Sequence, residues 1–127
     1  MRGQITIEYM LLFLVSLFLL SLSAASLILI KDLADKNYQN FRFRYSVLLL
    51  SSTINELCAM GDGNSASLFF EFPLSLKSQE IDDGYAISFY SGNLSMVKKS
   101  HCNIESGNIK GELNVKNEKG IILFKEQ

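Results

Sequence analysis

Two apolar rhythms divide this chain. From Tyr9 to Ile30 the sequence carries no charge, no Gly and no Pro. As a helix that stretch is about 33 Å long, enough to cross a hydrocarbon layer. From Ser65 onward the apolar positions shorten toward a period of two, which predicts strands. Apart from Gly3, every Gly lies at or after Gly61, and Pro73 is the only Pro. Residues 4–60 therefore lack both strong helix breakers, and one helix of up to about 57 residues, on the order of 85 Å, is predicted there. Met60-Gly61-Asp62-Gly63-Asn64 supplies its C-terminal stop.

The two halves of that helix differ. In the first, Ser16, Ser21, Ser23 and Ser26 interrupt a Leu/Ile/Phe background. Their hydroxyls can bond back to carbonyls one turn earlier, and their small size permits close helix approach; simple tolerance of serine in a single span explains them as well. Beyond Lys31, Ala34, Tyr38, Phe41, Tyr45, Leu48 and Leu49 share one face at 100° per residue. Phe43, Val47, Leu50, Ile54 and Leu57 gather nearly opposite, with Asp35, Arg42, Ser46 and Thr53 on one flank and Asn37, Arg44, Ser51 and Asn55 on the other. Two opposed apolar stripes ask for two partners. The chain's own sheet can cover the second stripe, and another copy of the helix is expected on the first. The competing arrangement, a helix sandwiched inside one compact domain, needs more chain after the helix than is available.

The candidate strands are Ser67–Phe72, Tyr85–Tyr90, Leu94–Lys98, Ile109–Lys116 and Gly120–Lys125, and an antiparallel sheet of four or five strands is expected. The breaks at Asp82-Asp83-Gly84, Ser91-Gly92-Asn93 and Asn117-Glu118-Lys119-Gly120 suit tight antiparallel connections. No helix-length segment separates the strands, so parallel crossovers are not expected. Pro73 cannot donate to a ladder, which places the end of the first strand at an edge or a bend. The fold class predicted is α+β: a long N-terminal helix, apolar then amphipathic, packed on a small antiparallel sheet head.

Composition adds mostly exclusions. Twelve basic residues stand against 13 acidic ones, so no nucleic-acid footprint is visible. The one His has no nucleophile or acid placed beside it, Asp82-Asp83 sits in a turn, and no phosphate-binding Gly loop occurs. No enzyme activity and no cofactor are expected. His101-Cys102 is at most half a metal site, without a second His or a C-x-x-C, so no metal is expected. Cys58 and Cys102 either form one disulfide tying helix to sheet or stay as two buried thiols; closing that loop is worth roughly 4 kcal/mol in the chain-entropy model. Asn93-Leu94-Ser95 is an N-glycosylation sequon starting in a turn, a pattern that also arises by chance.

Glu8 is the remaining anomaly, an acidic residue at the mouth of a membrane-length apolar run. A carboxylate is costly in lipid without a partner. An amine created by cutting before Gln4 would supply one. Gly3 followed by Gln4-Ile5-Thr6-Ile7-Glu8-Tyr9 and an apolar helix resembles the class III signal peptide of archaeal type IV pilin-like proteins, best known from methanogens. The resemblance covers about residues 3–29, with Thr6 where the family more often has Ser. It implies that a prepilin peptidase recognises Gly3, Gln4, Thr6, Glu8 and Tyr9 and cuts between Gly3 and Gln4 on the cytoplasmic side. It also implies that Glu8 pairs with the new Gln4 amine of a neighbouring subunit during assembly. Arg2 ahead of the segment, against balanced Lys31, Asp32, Asp35 and Lys36 after it, favours the N-terminus inside.

The expected organisation is a leader at 1–3, a transmembrane and filament-core helix at 4–30, an amphipathic continuation at 31–60 and a sheet head at 61–127. The expected function is that of a pilin, or minor pilin-like protein, of a type IV pilus-like surface filament serving adhesion. Its partners would be itself, in a homopolymer or mixed filament, the prepilin peptidase, and the membrane before assembly, with no nucleic acid. Two alternatives compete. One is a secreted binding module with a conventional signal peptide cut after Ala25. The other is an uncleaved bitopic accessory protein of an envelope complex.

Overall fold

A computed structural model describes residues 2–126. Met1, the first residue of the expected leader, lies outside them, as does the side chain of Arg2. One helix, α1 (Arg2–Met60), is followed by six strands: β1 (Ser65–Ile81), β2 (Gly84–Ser91), β3 (Leu94–Ser100), β4 (Asn103–Ile104), β5 (Gly107–Glu118) and β6 (Ile121–Glu126). The architecture is α+β. The chain divides into two compact units, one ending at Gln39 and the other beginning at Asn40. That boundary falls within the stretch 31–60.

The first unit is helix alone. Its serines satisfy themselves: Ser16 donates to the Phe13 carbonyl at 2.8 Å, Ser21 to Phe18 at 2.7 Å, Ser23 to Leu19 and Ser26 to Leu22 at 2.9 Å. A hydroxyl bonded to its own helix can enter an apolar medium without an orphaned donor.

The second unit packs residues 40–60 of α1 on the sheet. Phe43, Val47, Leu50, Ile54 and Leu57 are buried, Val47, Leu50 and Ile54 completely. Against them lie Phe70, Leu74 and Leu76 of β1, Ile87 and Phe89 of β2, Ile109, Leu113 and Val115 of β5, and Ile122 of β6. Full burial of each aliphatic chain contributes about 1.5–3 kcal/mol, so this seam is the main source of stability in the unit. Gly61, with φ +88°, follows the last helical residue in the left-handed conformation that closes many helices. Asn64 Nδ2 caps the end, donating to the Met60 carbonyl at 3.1 Å.

The sheet runs in the order β3-β2-β1-β5-β6-β4. Three hairpins close it, and the β5–β6 turn uses Lys119 and Gly120 at φ 56° and 81°, the paired positive angles of a type I′ turn. Three expectations need correction. The first strand does not end at Pro73; it continues to Ile81. Pro73 sits where the β1–β5 register shifts between Phe70 and Leu74, before pairing with β2 starts at Ser75, so its missing N–H costs no ladder bond. The sheet has six strands, and it is mixed, because β4 pairs parallel to β6 (Asn103↔Ile121, Ile104↔Ile122). A parallel pair needs a long crossover, and β5 itself, 12 residues, provides it without a helix. Gly120, expected to begin the last strand, belongs to the turn before it.

Candidate functional site

Each residue singled out at the N-terminus is helical. The Gly3–Gln4 bond lies in the first turn of α1, and Thr6 Oγ1 donates to the Gly3 carbonyl at 2.8 Å. Gln4 and Glu8 stand four apart, hence on one face, and both are exposed. Tyr9 is exposed as well. Beyond them, every large hydrophobic side chain from Ile5 to Leu33 is exposed, between 46% and 71%. The apolar surface covers all sides of the helix rather than one stripe. By length and composition this helix can cross a membrane. A rod that is apolar all round is stable only in lipid or among other apolar chains.

In the second unit the other apolar stripe is uncovered. Phe41 (67%), Tyr45 and Leu48 point outward, and the rings of Phe41 and Tyr45 stack with centroids 6.4 Å apart. Phe69 of β1, also exposed, joins them around an open groove with Ser46, Phe70 and Phe72. Arg42 closes one side, ion-paired with Glu71 and held 5.7 Å from the centre of the Phe72 ring. The helical periodicity brought out Phe41 and Tyr45 but not Phe69. Alternation in Leu68-Phe69-Phe70-Glu71-Phe72 signals only that Phe70 is buried and Phe69 exposed; that α1 passes beside this stretch is a long-range fact with no local signal.

Cys58 and Cys102 are joined in a disulfide, their Cα atoms 5.9 Å apart. The bridge links the last turn of α1 to the segment between β3 and β4. Ser100 holds that segment, its buried hydroxyl donating to the Cys102 carbonyl at 3.0 Å and accepting from the Cys102 N–H at 3.2 Å. With its sulfur in the bridge, Cys102 is not available to a metal alongside His101. Among the described residues, no three His, Cys, Asp or Glu side chains gather as a metal-holding set. Asp82 and Asp83 are exposed in the β1–β2 turn, where paired carboxylates are simply solvated. Asn93 lies exposed in the β2–β3 turn.

Lys116 and Glu118 form an exposed pair on β5, Nζ to Oε1 2.9 Å, with Lys125 Nζ 3.9 Å from the same oxygen. The hydrogen bond with Glu118, then its charge, raises the Lys116 pKa; the same bond and the Lys116 and Lys125 charges lower that of Glu118. This is ordinary surface pairing and not a reactive site. No protein-family model, curated protein or solved structure matches this chain.

Proposed function

We propose that this chain is a structural subunit, a pilin or minor pilin-like protein, of an archaeal type IV pilus-like surface filament. One observation carries the reading: α1 exposes apolar side chains on all sides from Ile5 to Leu33, then continues as the same helix into a folded, disulfide-bonded unit. Such a helix needs an apolar surrounding for its first half and aqueous space for its second. Membrane residence followed by packing among identical helices meets both needs. The Gly3-Gln4-Ile5-Thr6-Ile7-Glu8-Tyr9 resemblance supplies the route. A prepilin peptidase cuts before Gln4, the cut chain stays in the membrane, and subunits leave it by polymerising outward, where the filament serves adhesion.

Glu8 gives assembly its register. In the filament its carboxylate pairs with the Gln4 amine of a neighbour, and each charge compensates the burial of the other among apolar helices. Removing one partner strands the other charge, which typically costs about 3–5 kcal/mol. The test is Glu8→Ala. The variant is expected to insert and to be processed, and to yield no filaments by electron microscopy. Filaments at normal yield would contradict the pairing.

A further inference from the structure

We propose that Asn93 carries an N-linked oligosaccharide and that Tyr90 is the platform on which its first sugar rests. The inference rests on the outward orientation of the second unit in the reading above, but not on polymerisation.

The sequon Asn93-Leu94-Ser95 coincides with the tip of a hairpin. Ser91 and Leu94 are the last paired residues of β2 and β3, so Gly92-Asn93 is a two-residue turn, and Gly92 takes the positive φ, 57°, that such turns need. Asn93 and Ser95 are both exposed. A transferase must reach the carboxamide and the hydroxyl together, and both residues are open to solvent. The residue that enters the turn is fixed, because Ser91 Oγ donates to the Pro73 carbonyl at 3.1 Å.

A second observation points to the ligand itself. Tyr90 lies directly across from Ser95 in the β2–β3 ladder and is 40% exposed. Directly opposed residues in an antiparallel pair hold their Cβ atoms about 4.5–5.5 Å apart. The phenol ring therefore stands beside Ser95, the hydroxyl residue of the sequon, on the outer side of the sheet opposite buried Ile87 and Phe89. Lys77 steadies it, with Nζ 5.9 Å from the ring centre. An exposed aromatic face held rigid beside an attachment point suits the apolar C–H face of a pyranose, and a phenol carries both an apolar body and a polar tip.

The Cys58–Cys102 bridge suits the oxidising space into which the outward orientation would place the second unit. The donor is a polyprenyl phosphate-linked oligosaccharide at the outer membrane face, used by a membrane glycosyltransferase. Asn93 Nδ2 attacks the anomeric carbon of the first sugar and forms the C–N bond. The bond from that carbon to the phosphate oxygen breaks, the lipid phosphate leaves with the electron pair, and one amide proton passes to a base of the transferase.

The test is peptide mass spectrometry on the full chain recovered from producing cells, using only molecules with the Cys58–Cys102 bridge intact. Cleavage after lysine isolates residues 78–98, which contain the sequon. This peptide is expected to carry a sugar mass that is lost in Asn93→Gln and in Ser95→Ala and retained in Ser95→Thr. Tyr90→Ala is expected to lower the occupied fraction. An unmodified peptide from bridged wild-type chain overturns the proposal, and equal occupancy in Tyr90→Ala overturns the role of the ring. An unmodified peptide in assembled filaments sinks the glycan and leaves the filament reading. A modified peptide on a chain that never assembles does the reverse.

Discussion

The buried amide of Asn117 donates through Nδ2 to the carbonyl of Leu57, 3.0 Å away and 60 residues earlier in the chain. Carbonyls in the last turn of a helix have no partner within it. Asn117 supplies one for α1, and the same side chain accepts from the Gly120 N–H at 3.1 Å, shaping the β5–β6 turn. Its backbone does the rest: the Asn117 carbonyl accepts from Gly63 at 2.8 Å, and its N–H donates to the Asn64 carbonyl at 2.9 Å. One residue thus fastens the end of the helix to the middle of a hairpin.

Asn117→Ala leaves the Leu57 carbonyl without its donor in a buried position. A stranded buried polar group costs about 1–3 kcal/mol, and the loosened turn adds to that. Urea unfolding of the full chain in detergent is expected to show a loss of about 2–3 kcal/mol at unchanged slope. A loss below about 0.5 kcal/mol would mean that the helix end is held by the seam alone.

The bridge between Cys58 and Cys102 closes a separation of 44 residues. Chain entropy sets its worth near 4 kcal/mol, at the upper end. Paired Cys58→Ala and Cys102→Ala substitutions are expected to lower stability by about 2–4 kcal/mol while leaving the sheet's circular dichroism unchanged. Cys102 is buried and Cys58 half-buried, so reduction of the native chain is expected to be slower than that of the chain in denaturant. Thiol titration with and without urea checks this.

The two stripes of the helix make opposite predictions. Ile54 is fully buried, and Ile54→Ala is expected to cost about 2–5 kcal/mol of stability. Phe41 is 67% exposed, and Phe41→Ala is expected to change stability by no more than about 0.5 kcal/mol. In the filament reading Phe41→Ala instead lowers assembly. A comparison of melting and filament yield for both variants separates the folding stripe from the association stripe.

The Lys116–Glu118 pair sets a small pH dependence. Glu118 has a lowered pKa, so its contribution is present above the ordinary carboxylate range and is lost as pH falls through the folded value. Lys116 has a raised pKa, so its contribution is present below the ordinary lysine range and is lost as pH rises through the folded value. Both groups are exposed and screened by salt, so the effect is slight. Glu118→Gln is expected to melt marginally below the parent at neutral pH and low salt. That difference should vanish both in acid and at about 1 M salt.

Much of this fold was legible because its signals are local. Absence of Gly and Pro between residues 4 and 60 matches α1 nearly to the residue, and the stripe from Phe43 to Leu57 is the buried one. The hairpin turns announced themselves through Gly84, Gly92 and Gly120. What escaped was long-range. Nothing local says that β1 resumes after Pro73, because the proline's missing donor matters only once the register against β5 is known. Strand β4 is two residues long, too short for any periodicity, and exists because β6 arrives beside it. Asn103 holds it there, its Oδ1 accepting from Ser78 Oγ at 2.8 Å. The clasp by Asn117 was equally hidden, since an Asn near a turn reads as turn chemistry whatever it bonds.

The most direct measurement is the N-terminus of the mature chain recovered from producing cells. Filaments sheared from cells and examined by intact-mass and N-terminal peptide spectrometry are expected to contain this chain beginning at Gln4, with residues 9–30 retained. A chain found only in the membrane fraction with Met1 still in place, or released with Ser26 as its first residue, would contradict the account.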